Sequence, residues 1–380
     1  MRKYTMDDIL VRVLRHNGFI VQHVMNVTDV GHLVSDADEG EDKMEKGARQ
    51  TGKSVWEVAE FFEKGFWSDL HLMNVVRPDD VPHATQYIAE QIAQVQALEQ
   101  KGFTYAIPND GIYFDTSKDP HYGELARLQL DQQKEGARIG VVGGKRHPSD
   151  FALWKFSPTD QQRQMEWDSP WGVGFPGWHI ECSAMSLQCV HADQLDIHTG
   201  GIDHIPVHHT NEIAQAENAT GVRPFVRYWV HHNFLRVDGQ KMSKSLKNFY
   251  RLEDIIAQGY SPMALKLLFL SAHYRDELNF TWDSLAASQK GWEKLERKVQ
   301  AWLTAAGYAQ LADVPAAVTT ELSAEAQQLW QQFQDQLNND LHTAQALATL
   351  WKALKSAAPD ALVVVAAMLQ LLGLAIEENK

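Results

Sequence analysis

Thr5-Met6-Asp7-Asp8-Ile9-Leu10-Val11-Arg12-Val13-Leu14-Arg15-His16-Asn17-Gly18 runs straight into Phe19-Ile20-Val21-Gln22-His23-Val24-Met25, and the change of period at Gly18 sets the fold class. Thr5 and Asp8 match a capping box, and Ile9, Leu10, Val13 and Leu14 follow at helical spacing. After Gly18 the apolar residues become nearly continuous, as in a strand buried on both faces. A helix, a buried strand and then further helices is the order of an α/β protein with a parallel sheet. Ser54-x-x-Glu57 opens another helix carrying Trp56, Phe61 and Phe62, and residues 84–101 predict a third. Tyr105 to Phe114, with Asn109-Asp110-Gly111 at its centre, predicts a β-hairpin. That hairpin and the polar stretch 117–150 read as an insertion within the sheet domain.

From about Leu252 the pattern is helical almost throughout, over 261–274, 283–307, 321–338, 342–357 and 359–377, with Pro315 and Pro359 as breaks. This predicts a C-terminal helical bundle without a short repeat. The whole chain, 380 residues, has room for two or three domains at ~150 residues each. Hydrophobic residues make up 44% and charged residues 22%, which excludes wholesale disorder. Lys+Arg 35 against Asp+Glu 49 gives −14, which argues against a general polybasic coat for nucleic acid but not against a local basic surface. Cys182 and Cys189 are the 2 cysteines, too few for a disulfide scaffold. Shared on one helix they would lie ~10 Å apart along its axis, too far to bridge. Acidic Asp7 and Asp8 fall where a signal peptide needs apolar residues. The run Ala361 to Ile376 is shorter than the ~20 residues of a membrane span and predicts a buried terminal helix. The expectation is a cytoplasmic, α-rich, multidomain protein with no membrane segment.

Histidine is concentrated between His179 and His232. A lone histidine is usually core filler or surface decoration, but His208-His209-Thr210-Asn211-Glu212 puts His208 and Glu212 four apart, on one face of a helix. With Cys182 upstream they make a thiolate, imidazole and carboxylate set suited to Zn²⁺, although such a helical pair also arises by chance and Cys182 could be an inert buried thiol. Gly200-Gly201-Ile202-Asp203 reads as a glycine turn before a carboxylate that could hold a ribose hydroxyl. Lys241-Met242-Ser243-Lys244-Ser245 follows the tight-turn signal Val237-Asp238-Gly239. Its two ammonium groups on a loop tip could clamp a triphosphate, or simply be solvated.

Together, the Lys241–Ser245 string, the double glycine with Asp203 and the His208-His209-x-x-Glu212 pattern resemble class I aminoacyl-tRNA synthetases, and among them the cysteinyl enzymes. Asn26-Val27-Thr28-Asp29, Asp150-Phe151-Ala152-Leu153-Trp154-Lys155, Gly177-Trp178-His179-Ile180-Glu181-Cys182-Ser183-Ala184-Met185 and Asp196-Ile197-His198 support the resemblance, as does Leu337-Asn338-Asn339-Asp340-Leu341-His342-Thr343-Ala344. It spans nearly the whole chain. It implies a doubly wound, Rossmann-like catalytic domain over 1–250 with an insertion around 103–150, connecting helices at 251–282 that contact the tRNA stem, and a helical bundle over 283–380. The implied reaction joins ATP, with Mg²⁺, and L-cysteine into cysteinyl-adenylate, followed by transfer to the terminal adenosine of tRNA(Cys).

The resemblance also implies site roles. Cys182, His208 and Glu212 would hold Zn²⁺, which takes the substrate thiolate and rejects serine's hydroxyl. Thr28, Trp178 and His198 would line the amino-acid pocket. Gly200, Gly201 and Asp203 would hold the adenosine ribose, and Lys244, assisted by Lys241, the phosphates. Arg223, Arg227, Arg236, Lys247 and Arg251 offer local positive charge for an acceptor stem. The family pattern begins with a strand bearing a further zinc cysteine and a His-x-Gly-His-type phosphate motif, and Met1 aligns just after it. The pattern also continues into an anticodon-reading domain beyond the position of Lys380, and has glycine where Lys247 stands. Two other readings share some of these features: a cysteine ligase acting on a small amine, and an inactive paralogue that only binds RNA or a partner protein.

Overall fold

The computed structural model describes residues 1–31, 43–127, 144–159, 162–243, 246, 248–317 and 320–376. Helices α1 (Arg2–His16), α2 (Lys43–Thr51), α3 (Val55–Leu72) and α4 (Ile88–Gln100) come first. Strands β1 (Thr104–Ile107), β2 (Gly111–Phe114), β3 (Phe151–Phe156) and β4 (Gly174–Pro176) follow, then α5 (Trp178–Val190), β5 (Leu195–Gly201), α6 (Thr210–Thr220) and β6 (Val226–His232). The remainder is β7 (Leu235–Val237), β8 (Gln240–Lys241), α7 (Leu252–Ala257), α8 (Pro262–Leu270), β9 (Leu278–Phe280), α9 (Trp282–Ala306), α10 (Ala324–Asn338), α11 (Thr343–Ala353) and α12 (Ala361–Leu371). These elements form two compact units, one of Gln22–Phe66 and Pro78–Val230, the other of Met1–Val21, Trp67–Arg77 and His231–Lys380.

In the first of these units, the expected hairpin is present: β1 and β2 pair antiparallel, and Asn109 takes the left-handed φ of 60° that the turn needs. The hairpin continues into β3 and β4 as one antiparallel sheet in the order β1-β2-β3-β4. Phe114, Phe151 and Leu153 of this sheet pack with Val95 and Leu98 of α4, Ile180 of α5 and Ala214 of α6, so the sheet fixes the helices on which Cys182 and Glu212 stand. Asp150, 1% exposed, locks the entry to β3. It accepts from the Thr116 amide and hydroxyl, the Tyr105 hydroxyl and the His147 amide. Lys155 at the other end pairs with Asp110. The Asp150–Lys155 motif therefore serves the scaffold.

The buried strand expected over residues 19–25 is a correction. Phe19 and Ile20 are 62% and 104% exposed, and pairing begins only at His23. From there the chain runs parallel to residues 79–84, with Met25 N to Asp80 O at 3.0 Å and Val27 N to Pro82 O at 2.8 Å. Apolar composition marks a segment as strand-like, but a strand forms only where a neighbour supplies the complementary donors and acceptors. Ser54 does cap α3, its hydroxyl accepting from the Glu57 amide while Glu57 reaches back to the Ser54 amide.

In the second unit, α1 packs on α8 and α12, α8 on α9, and α10 to α12 on one another. The helix begins at Arg2, so the Thr5-x-x-Asp8 cap is a second correction: Thr5 is buried inside the helix. Arg2 replaces it as the anchor, donating to the carbonyls of Asn233, Phe234 and His273. Asp8 is instead the centre of a buried ionic knot. Its Oδ2 lies 3.2 Å from Lys266 Nζ of α8 and 2.9 Å from Arg12 Nε, while Oδ1 accepts from the Val76 amide. Lys266, fully buried, also donates to the carbonyls of Met73 and Asn74. The five predicted C-terminal helices are all present, and the last, α12, is a buried terminal helix as expected. No helix of the described residues is long and apolar enough to cross a membrane.

Asp7, one residue earlier, pairs with Lys3 Nζ at 2.7 Å and His232 Nε2 at 2.9 Å. Burial opposes its ionisation, but the Lys3 charge and the His232 hydrogen bond win, holding the carboxyl well below its ordinary 3.8. A depressed carboxyl stabilises the fold above its unfolded pKa, and that contribution is lost as pH falls through the folded one. Stability should therefore decline as pH drops below 3.8, and Asp7→Asn should flatten that limb. Chemical denaturation across the acid range measures the slope. An unchanged slope in the variant would contradict the assignment.

Candidate active site

A π-helical turn, Ile205–His209, leads directly into α6, and Thr210 Oγ1 donates to the Ile205 carbonyl across the junction. Widened turns of this kind redirect side chains at functional sites. Here the turn places His208, His209 and Glu212 on one side. Cys182 arrives from α5, and its thiol, a ring nitrogen of His208 and a Glu212 oxygen all lie within 4.8 Å of one another. The three residues expected from the sequence as metal ligands are thus brought together. Cys182 and Cys189 are both on α5 and both free thiols.

Glu212 is fully buried. Its Oε1 is 3.0 Å from His208 Nε2 and its Oε2 is 3.3 Å from His198 Nε2, yet neither oxygen has a hydrogen-bond donor in proper geometry. A buried carboxylate without donors is costly unless a cation satisfies it. Burial alone would raise the Glu212 pKa, but His198 and His208 hold it well below the ordinary range. The Cys182 thiol moves the other way, pushed well up by burial and by the nearby Glu212 charge. A cation binding there would displace the thiol proton. Burial also pushes His209 down to about 2, so its ring is a neutral donor at ordinary pH. Thiol, imidazole and carboxylate in this arrangement fit a borderline-soft divalent ion, and zinc above others.

Several contributors were not singled out in the sequence. Asn26 Nδ2 lies 3.5 Å from Cys182 Sγ and 3.4 Å from Thr28 Oγ1, tying the expected pocket residue Thr28 to the thiol. His179 shares a proton with His208 through a 2.8 Å contact between their Nδ1 atoms, which leaves His208 Nε2 aimed at Glu212. Trp178, expected in the pocket, packs tilted against His208 with ring centroids 4.3 Å apart. Trp229 on β6 covers His209 and His198 at 4.7 and 5.0 Å. Asn26 and His179 sat inside recognised motifs, but their partners lie up to 156 residues away in sequence.

The double glycine ends a strand rather than forming a glycine turn, and Gly200 packs against His209. Gly200 and Gly201 close strand β5, and Asp203 follows in a short 3₁₀ turn, exposed. A Cβ on Gly200 would sit 2.2 Å from His209 Cε1. Gly200→Ala should therefore force the His209 ring out of place and lower metal affinity by about the 10–100-fold seen when a ligand's supporting contacts are lost. Metal competition against a chelator checks this, and unchanged affinity would contradict it.

Lys241 belongs to the other unit and is exposed on β8, after the Asp238-Gly239 turn whose φ angles are 50° and 74°. Asn248 closes the base of its loop, accepting from the Ser243 amide and donating to the Lys241 carbonyl. Lys244, Ser245 and Lys247 lie outside the described residues. The arginines expected to offer local positive charge each have a carboxylate partner. Arg223 meets Glu217 and Asp119, and Arg227 meets Asp196. In the other unit Arg236 pairs with Glu277, and Arg251 with Glu253 and Asp254.

Residues 1–290 match the family model for the catalytic domain of class I (C) tRNA synthetases. A cysteine-tRNA ligase 1 of Burkholderia lata is 48% identical over 362 residues, covering 95% of this chain and 73% of the relative. A cysteine-tRNA ligase of Treponema denticola is 43% identical over 392 residues, covering 100% of this chain and 79% of the relative. Among solved structures, Mycobacterium tuberculosis methionyl-tRNA synthetase in complex with methionyl-adenylate superposes with a TM-score of 0.60 at 13% identity, covering 98% of this chain and 84% of that one. The likeness bears out the expected α/β synthetase fold.

Proposed function

The chain belongs to the cysteine-tRNA ligase family of class I synthetases, and on that premise we propose that it recognises L-cysteine by its thiol at the Cys182–His208–Glu212 cluster. The reaction is ATP-dependent activation of cysteine and its transfer to tRNA(Cys). The observation that carries the site assignment is the buried Glu212 carboxylate, both oxygens without a hydrogen-bond donor, beside a thiol and an imidazole. A zinc ion held there would supply a soft Lewis acid for the substrate thiolate, which a hydroxyl matches poorly.

The chain's own residues do the rest. Asn26 steadies the Cys182 sulfur, and His179 fixes which nitrogen His208 presents. Thr28, Trp178 and His198 line the amino-acid pocket. Gly200, Gly201 and Asp203 hold the ribose of ATP, whose phosphates, carried in with Mg²⁺, are bound by Lys244 with Lys241 assisting. The functional division follows the same reading, with catalysis in 1–250, stem contacts in 251–282 and the helical bundle in 283–380. In this reading the exposed Arg227 and Arg251 exchange their carboxylate partners for phosphates when the acceptor stem binds, a trade made possible by the small worth of exposed pairs. The relatives named above are cysteine-tRNA ligases, which favours a tRNA acceptor over a small amine.

Cysteine-dependent exchange between ATP and pyrophosphate tests the reading, with serine as control. Exchange with cysteine and none with serine is expected. Exchange with both would overturn thiol recognition, and exchange with neither from folded, zinc-loaded protein would overturn the activity.

A further inference from the structure

The Glu212 carboxylate faces two donor sets. Its Oε1 looks toward His208, which with Cys182 makes the position already assigned. Its Oε2 looks toward His198, and His209 Nε2 stands 4.0 Å from Oε1. One donor atom from each of His198, His209 and Glu212 lies within 4.8 Å of the others, as in the first set. Ligands on a tetrahedral zinc-class ion at ~2.0–2.1 Å stand ~3.3 Å apart. The 3.3 Å between His198 Nε2 and Oε2 matches that spacing, and the contact lacks hydrogen-bond geometry. Two imidazoles and a carboxylate make a recognised donor set for such an ion. Trp229 packs edge-on against His198 and tilted against His209, closing one side.

We propose that His198, His209 and Glu212 form a second metal position, sharing the Glu212 carboxylate with the Cys182–His208 position and taking a zinc-class divalent ion when free metal is in excess. Resting on the pocket role of His198 given above, an ion there competes with cysteine activation, so excess metal inhibits. The second position is the weaker of the two, because its carboxylate is already engaged and a second dication must approach the first.

Titrating metal-free protein with Co²⁺ while following both stoichiometry and absorption tests this. The first equivalent should bring thiolate-to-cobalt charge transfer from Cys182. A second, weaker equivalent should add ligand-field absorption with no new thiolate band. His209→Asn should lose the second equivalent and keep the first with its charge-transfer band, which also reports that the variant is folded. His198→Asn, at a less buried position, should do the same if His209→Asn does not fold. Saturation of the parent protein at one equivalent would overturn the proposal, as would a second equivalent that survives both variants. A first equivalent without a thiolate band would instead count against the Cys182 position and leave the second one standing.

Discussion

Glu212→Gln is expected to abolish the metal-dependent rise in Tm and to lower the stability of the metal-free protein as well. The side chain is fully buried, and in the metal-free state its charge is held by the neighbouring His198 and His208. Taking that partner from the two rings destabilises the metal-free fold. With metal the loss is larger. Loss of supporting contacts alone weakens metal sites 10–100-fold, so losing a ligand's charge should cost at least ~100-fold. At free metal 100 times the parent's Kd, linkage stabilises the parent by about 2.7 kcal/mol and a variant weakened ~100-fold by about 0.4 kcal/mol. Cysteine activation should fall with the lost metal. Thermal melts with and without zinc check both halves. A variant that keeps the zinc-dependent shift, or whose metal-free form is more stable than the parent's, would contradict the role assigned to Glu212.

Asp8→Ala should be the most damaging single change outside the site. It leaves Lys266 and Arg12 without the carboxylate that both contact, and Lys266 is fully buried. Breaking one partner from a buried pair costs about 3–5 kcal/mol, because the remaining charge stays desolvated. Burial already pushes the Lys266 amine down to about 8 against the pull of Asp8. Without Asp8 that amine should titrate lower still. The Val76 amide also loses its acceptor, adding to the cost. Asp8→Ala combined with Lys266→Met should recover much of the loss. Denaturant melts of the two single variants and the double variant form the required cycle. Equal, additive losses would show that the two side chains are not coupled.

The residues proposed to carry chemistry were legible where type and local spacing sufficed. His208 and Glu212 stand one turn apart, and the soft, neutral and hard donors of the trio suggest a metal before any fold is known. Their environment was not legible. That His209 sits against Gly200, that Asn26 touches Cys182, and that His179 orients His208 all depend on where distant segments meet. The same limit explains the two corrections at the start of the chain. Residues 19–25 have the composition of a strand, but strand pairing is a property of two segments, and the described partner reaches only from His23 onward. Thr5 and Asp8 have the spacing of a cap, yet the helix starts earlier, because Arg2 finds three carbonyl acceptors over 230 residues away. Helices of the bundle were read well because each carries its own amphipathic signal. Lys266 looked like any surface lysine on such a helix, and only the fold reveals its burial.

Zinc-edge X-ray absorption on the zinc-loaded protein, with and without L-cysteine, addresses thiol recognition most directly. Cys182 contributes one sulfur at ~2.3 Å. Saturating L-cysteine should raise the sulfur count by one at the same distance, and L-serine at equal concentration should leave it unchanged. An unchanged sulfur count in protein shown by calorimetry to be saturated with cysteine would contradict the account.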